Sequence, residues 1–252
     1  MSITRPDGRS SDAPRPITVI HGFQRFPEGS VLYKCGGTTV LIAASVEESV
    51  PPWMRNKGRG WVTAEYEMHP RANPDRQRRS RSRNNLDGRS SEIQRLIARS
   101  LRACVRLDKL GERMITVDCD VIDADGGTRT ASITGGFIAL AMALDVLRHK
   151  GSIKPGILRE EVAAISVGMV GDKHLVDLNY DEDSGAAVDL NVVASGKQGI
   201  VEVQGTAEGA PIAKADFDRL VDLGLGAIPT LIAKQQEALT KAGVDLSKLM
   251  AG

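Results

Sequence analysis

Between residues 17 and 46 the apolar positions fall in short β-branched runs, interrupted at Pro27-Glu28-Gly29 and Gly36-Gly37. That pattern predicts successive strands at about 17–20, 31–33 and 39–45, with Gly36-Gly37 as a hairpin turn. A further strand is expected at 61–68. Residues 71–90 carry no apolar period and are expected to form a loop. Beyond it Ile93, Leu96, Ile97, Leu101 and Cys104 recur on one face of a 3.6-residue period, which predicts a helix with Ser90 or Ser91 as its N-cap. A strand at 114–122 then leads through the sharp turn Asp125-Gly126-Gly127 to a second helix at about 129–149. Ala131, Gly135 and Gly136 near its start would let another backbone approach closely.

The second half repeats this order. Strands are expected at 162–170, 174–179, 189–194 and 200–204. A helical segment follows from about 214 to 242, where Gly224, Gly226 and Pro229 imply a break or kink. Strands followed by helices, given twice, predict an α+β fold of two β-α halves around a common core. The halves fall at about 17–150 and 156–242 within one domain, 17–242, with the seam at 150–155. Residues 1–16, polar and rich in Pro, Gly and Ser, are expected to form an N-terminal arm, and 243–252 a C-terminal tail.

Composition changes this picture only through the placing of charge. The 252 residues hold 33 Lys+Arg and 32 Asp+Glu, a net +1 that would ordinarily argue against a nucleic-acid binder. Yet residues 51–110 hold 15 basic and 6 acidic side chains, a local +9, and residues 160–208 hold 2 basic and 10 acidic, a local −8. The blocks suggest two tasks, holding an anion and holding a cation. Nine aromatic residues in all leave little for RNA binding by stacking. No apolar run reaches the ~18 residues of a membrane span, and the first residues lack the apolar core of a secretory signal. A cytoplasmic protein without membrane contact is expected. Cys35, Cys104 and Cys119 lie in apolar patterns and read as buried free thiols, and the four histidines never take metal-ligand spacing.

Three groups could carry chemistry. In Asp123-Ala124-Asp125-Gly126-Gly127-Thr128-Arg129-Thr130, a glycine turn, a hydroxyl, a guanidinium and a helix N-terminus coincide. Such a set suits phosphate, although a Gly-Gly-Thr-Arg turn alone is also an ordinary structural turn. The loop holding Arg71, Arg76, Arg78, Arg79, Arg81 and Arg83 against Asp75 alone fits a polyanion backbone or a solvated surface loop. In the acidic run Asp177, Asp181, Glu182, Asp183 and Asp189, either a shared divalent cation or plain solvation would relieve the repulsion. Spacing alone selects no pair. Signatures of nucleotide-binding phosphate loops, serine nucleophile elbows and dinucleotide folds are missing.

Several segments, in order along nearly the whole chain, resemble the ribonuclease PH family of phosphate-dependent exoribonucleases. They are Arg5-Pro6-Asp7-Gly8-Arg9, 60–66, 92–97, 118–121, 124–132, Glu182-Asp183-Ser184, Asn191-Val192-Val193 and 203–208. The resemblance implies a fold like domain 2 of ribosomal protein S5 and a homo-oligomer, a hexamer built as a trimer of dimers. It implies a phosphate site of Arg89, Gly127, Thr128 and Arg129, and an acidic pair, Asp183 and Asp189, associated with Mg²⁺ and with protonating the leaving group. Arg71, Arg76 and Arg79 would grip the acceptor stem of transfer RNA. The reaction implied is phosphorolytic trimming of transfer-RNA precursors and other structured RNA 3′ ends, ribosomal RNA included, with inorganic phosphate as co-substrate and nucleoside diphosphate released, reversible as nucleotidyl transfer. His69-Pro70-Arg71-Ala72-Asn73 and the more basic stretch 78–86 depart from the usual family pattern beside the site. A competing class is a non-catalytic ring subunit, a third a catalytic exosome-type subunit that needs a partner chain. Activity of a purified homo-oligomer would separate them.

Overall fold

The first sheet is built on alternation. Val40, Ile42 and Ala44 are buried in β3 (Thr38–Glu47), and Ile115, Val117, Cys119 and Val121 in β5 (Met114–Asp123), with less buried residues between. A period of two puts each buried set on one face. With β1 (Ile17–His21), β2 (Gly29–Cys35) and β4 (Trp61–Met68), the order is β1-β2-β3-β5-β4, antiparallel except for the parallel pair β4–β5. A parallel neighbour needs a long crossover, and that crossover holds α1 (Gly88–Cys104) and α2 (Leu107–Leu110). The computed structural model describes residue 5 and residues 7–77 and 88–250.

The second sheet is antiparallel, in the order β7-β6-β8-β9, from β6 (Val162–Val170), β7 (Lys173–Val176), β8 (Val188–Ser195) and β9 (Ile200–Ala207). Between the sheets lies α3 (Thr128–His149), against β2, β3 and β5 on one side and β6 on the other. It is long and apolar enough to cross a bilayer, yet nearly all of it is buried here. On the far face of the second sheet packs α5 (Lys214–Lys241). Val162 and Ala164 join the core under α3, while Ala163, Ile165 and Val167 join the one under α5. With both faces covered, β6 reads as an apolar run broken only by Ser166 and Gly168. At Gly135 it is side chains and not a backbone that approach closely, because a Cβ there would lie 2.5 Å from Ile42 Cδ1 and 3.0 Å from Tyr33 Cβ.

Three local expectations are corrected. The helix after the arginine loop starts at Gly88, so Ser90 and Ser91 lie inside its first turn; that turn faces a cleft and needs no apolar residue. The strand expected at 174–179 ends at Val176 because Asp177 turns the chain at φ 55°. Asn179 then caps α4 (Tyr180–Ser184) through a capping box with Glu182. Finally, α5 runs unbroken through Pro229, which is exposed, so that water can satisfy the carbonyl its missing N–H abandons. Gly224 is a packing residue instead: a Cβ there would lie 2.8 Å from Val192.

At the ends of the chain, Leu249 of α6 (Leu246–Met250) is buried and its carbonyl accepts from Leu158 N. Arg5 and Arg15, near the other end, are each 4% exposed.

Candidate active site

The glycine turn before α3 is held from behind. Thr38 Oγ1 donates to Gly126 O at 2.6 Å and accepts from Asp125 N at 2.9 Å. Arg15 donates to the carbonyls of Asp125 and Gly126. Gly126 and Gly127 take φ 73° and 62°, a region that favours glycine. With those carbonyls engaged on the far side, the first amides of α3, which lack intrahelical acceptors, are left facing forward. No side chain of the N-cap residue Gly127 covers them. An anion can therefore sit at this end with the helix dipole behind it.

Arg15 also holds Asp177 with three contacts, from its amide at 2.6 Å, Nε at 3.0 Å and Nη2 at 2.7 Å. Burial would push the Asp177 carboxyl up, but the Arg15 hydrogen bonds and charge leave it below its usual range. Burial likewise opposes the Arg15 charge, and Asp177 more than offsets it. Glu182 accepts from Arg5 Nε and Nη2 at 2.8 and 2.7 Å. Asp177 and Glu182 are thus spent on the arm, which removes both from the acidic group.

Arg89, Gly127, Thr128, Arg129, Asp183 and Asp189 all line one open cleft of about 1700 Å³. Arg89 is exposed at the start of α1. Arg129 Nη1 donates to Gln204 Oε1 at 3.0 Å and lies 3.5 Å from Glu92 Oε1, which also accepts from Gln204 Nε2 at 2.7 Å. Tyr66 Oη stands 2.8 Å from Thr128 Oγ1. Asp183 reaches the cleft from α4, and Asp189 from β8. The Asp183 carboxyl is held above its usual range, first by desolvation and then by Asp189, against the pull of Arg129 and Arg89. Two carboxylates close enough to feel one another offer hard oxygen donors that could hold a divalent cation. Among the described residues no three His, Cys, Asp or Glu cluster as a metal cage.

The arginine loop is only partly described. Its first part folds back, with Gln77 N donating to Pro70 O at 2.8 Å. His69, Asn73, Pro74, Asp75 and Gln77 line the cleft. Arg71 and Arg76 are exposed beside it and are not part of its wall. Arg79, with Arg78, Arg81 and Arg83, lies outside the described residues. The three cysteines are free and buried. Burial pushes the Cys104 thiol up to about 12 and Cys35 and Cys119 higher still, which makes none of them a nucleophile at neutral pH.

Sequence reasoning missed the supports: Arg15, Thr38, Tyr66, Glu92 and Gln204. The capping box Asn179-Tyr180-Asp181-Glu182 was readable as an N-cap followed by Glu at the third position and would have moved Glu182 out of the cation group.

Residues 13–144 match domain 1 of the 3′ exoribonuclease family and residues 160–227 match its domain 2. Among curated relatives, Ribonuclease PH of Crocosphaera subtropica is 50% identical over 242 residues, covering 96% of this chain and 100% of that protein. Ribonuclease PH of Bacillus velezensis is 52% identical over 236 residues, covering 93% and 96%. Among solved structures, rice (Oryza sativa) Rrp46 superposes with a TM-score of 0.75 at 17% identity, over 93% of this chain and 100% of that one. A chain of the Archaeoglobus fulgidus exosome with RNA bound to the active site gives 0.74 at 24% identity over 92% of each. At such identities the two structures speak for the fold alone.

Proposed function

The chain belongs to the ribonuclease PH family of 3′ exoribonucleases, and from that premise we infer that it shortens RNA from the 3′ end by phosphorolysis. An oxygen of inorganic phosphate attacks the phosphorus of the last phosphodiester. The bond from that phosphorus to the preceding O3′ breaks, O3′ takes a proton, and the terminal nucleotide leaves as a nucleoside diphosphate. Phosphodiester and diphosphate are similar in energy, so the reaction also runs backwards as nucleotidyl transfer. No covalent enzyme intermediate is needed, and the task reduces to positioning and charge neutralisation.

We assign the phosphate seat to Arg89, the Gly127 amide, Thr128 and Arg129. The observation that carries this is the glycine turn, braced from behind and opening on the same cleft as both arginines and the Asp183–Asp189 pair. Arg129, fixed by Gln204 and Glu92, is aimed before substrate arrives. Asp183 and Asp189 act on the leaving O3′, and desolvation, which holds the Asp183 carboxyl above its usual range, suits it to donate the proton. These carboxylates also suit Mg²⁺, which binds through one or two carboxylates plus substrate phosphates. When bound, the ion would offset the negative charge developing around the transferred phosphorus.

The favoured substrates are transfer-RNA precursors and other structured RNA 3′ ends, ribosomal RNA included, gripped by Arg71, Arg76 and Arg79. A cytoplasmic homohexamer, a trimer of dimers, is the favoured assembly. It is supported by Phe23 and Phe26, 52% and 83% exposed beside the sheet-edge strand β1, since large exposed apolar groups mark contact surfaces. Intact Arg89, Arg129, Asp183 and Asp189 favour an active subunit over a non-catalytic ring member. The test is to incubate the protein with a transfer-RNA precursor, with and without phosphate, and identify the nucleotide released. Diphosphates that appear only with phosphate are expected. Monophosphates released without it would overturn the reading. Arg129→Ala should abolish phosphate-dependent trimming while RNA binding survives.

A further inference from the structure

Tyr66 follows Val62 and Ala64 on the buried face of β4 and is itself 1% exposed. A phenylalanine would fill that part of the core equally well, so it is the hydroxyl that needs a reason. The residue reaches the cleft wall, and its oxygen lies 2.8 Å from Thr128 Oγ1. Among the described residues this is the one hydrogen bond that either hydroxyl makes. Two facing hydroxyls share one hydrogen between them and have one left to donate elsewhere.

Their surroundings decide which hydrogen goes where. The phenol is enclosed, and Thr128 is the acceptor within its reach; Thr128 is half-exposed at the start of α3. We propose that Tyr66 is a positioning residue for the attacking phosphate: its O–H donates to Thr128 Oγ1 and so turns the threonine's own hydrogen into the cleft, toward a phosphate oxygen. The reverse arrangement would present only threonine lone pairs to the cleft, where they would repel an anion. Burial keeps the phenol protonated by raising it above its usual range, against the opposing pull of Thr128, Arg89 and Arg129. Those arginine charges also put the hydroxyl pair beside the expected anion. A chain of phenol, threonine and phosphate strengthens each of its links. The proposal rests on reading 127–129 as the phosphate seat.

The test varies phosphate and RNA separately for the parent, Tyr66→Phe, Thr128→Val and the double variant. Tyr66→Phe should raise KM for phosphate about fivefold, the worth of one hydrogen bond, and leave KM for RNA unchanged. Thr128→Val should raise it at least as much, and adding Tyr66→Phe to Thr128→Val should do nothing more. An unchanged KM for phosphate in either single variant overturns the proposal. So does an equal effect of Tyr66→Phe in both backgrounds, or a parallel rise in KM for RNA, which would mark a merely structural hydroxyl. A parent that trims equally without phosphate overturns the phosphate seat itself, and the proposal with it.

Discussion

Gly127 meets two demands at one residue. Its φ of 62° lies where a side chain costs about 1–2 kcal/mol, and an added Cβ would stand 3.0 Å from Arg15 Nη2 and 3.2 Å from Thr130 Oγ1. Arg15 is committed to Asp177, and Thr130 Oγ1 to Gly127 O at 2.9 Å, so neither neighbour yields freely. Gly127→Ala should therefore lower unfolding free energy by about 1–2 kcal/mol in a urea titration. It should also raise KM for phosphate, because relief of the strain would rotate the amides that face the anion. A loss of stability with KM unchanged would separate the turn from the phosphate seat. The contiguous stretch Gly126–Arg129 was legible because turn, hydroxyl, guanidinium and helix start are neighbours in the chain. Tyr66, Glu92 and Gln204 were not, because each reads locally as an ordinary strand or helix residue and gains meaning only beside Thr128 and Arg129.

Among elements, the link between the arm and the second half is the one that periodicity could not supply. Alternation in β3 and β5 and the 3.6-residue stripe of α1 announced themselves, since a buried face repeats every two or three to four residues. No such repeat connects Arg15 with Asp177, 162 positions away, or Arg5 with Glu182. The arm looks solvated in sequence because its burial depends on partners folded elsewhere. The Arg15–Asp177 pair ties the glycine turn of the first half to the segment leading into α4, which carries Asp183. Asp177→Asn should cost about 3 kcal/mol at neutral pH by leaving a buried guanidinium with the more distant and more exposed Asp125 carboxylate, 3.7 Å away, in place of its main counter-charge. The pH dependence has a definite sign. The folded Asp177 carboxyl lies below its usual range, so its contribution is fully present above the unfolded value near ~3.9 and is lost as pH falls through the folded value. Urea titrations at stepped pH should show the gap between parent and variant closing below about pH 4. A gap that stayed constant down to acid unfolding would remove Asp177 from the charged latch.

Across the whole molecule the near-neutral sum conceals opposed fields, and the fold decides which charges count. Of the −8 block, Asp177 and Glu182 are neutralised by Arg15 and Arg5, while Asp181, Asp183, Asp189 and Glu208 line the cleft. Of the +9 block, Arg102 is engaged with the Val62 carbonyl and the Trp61 ring, and Arg106 with the carbonyls of Gly156 and Leu158. Arg71 and Arg76 stay exposed at the rim. Net charge therefore says little about RNA here, whereas the unspent charges at the cleft mouth say a good deal. A phosphate-bound RNA releases counterions in proportion to the contacts made, with a slope in log K against log salt of about −0.9 per phosphate on a duplex stem. If Arg76 and Arg79 each hold one phosphate of an acceptor stem, Arg76→Ala with Arg79→Ala should flatten that slope by about 1.8. The variant should also bind transfer RNA more weakly at low salt, with the gap narrowing as salt rises. Trimming of a short single-stranded RNA, which has no stem to grip, should keep its KM for phosphate. An unchanged slope would leave the loop as solvated surface and assign the RNA contact to other parts of the rim.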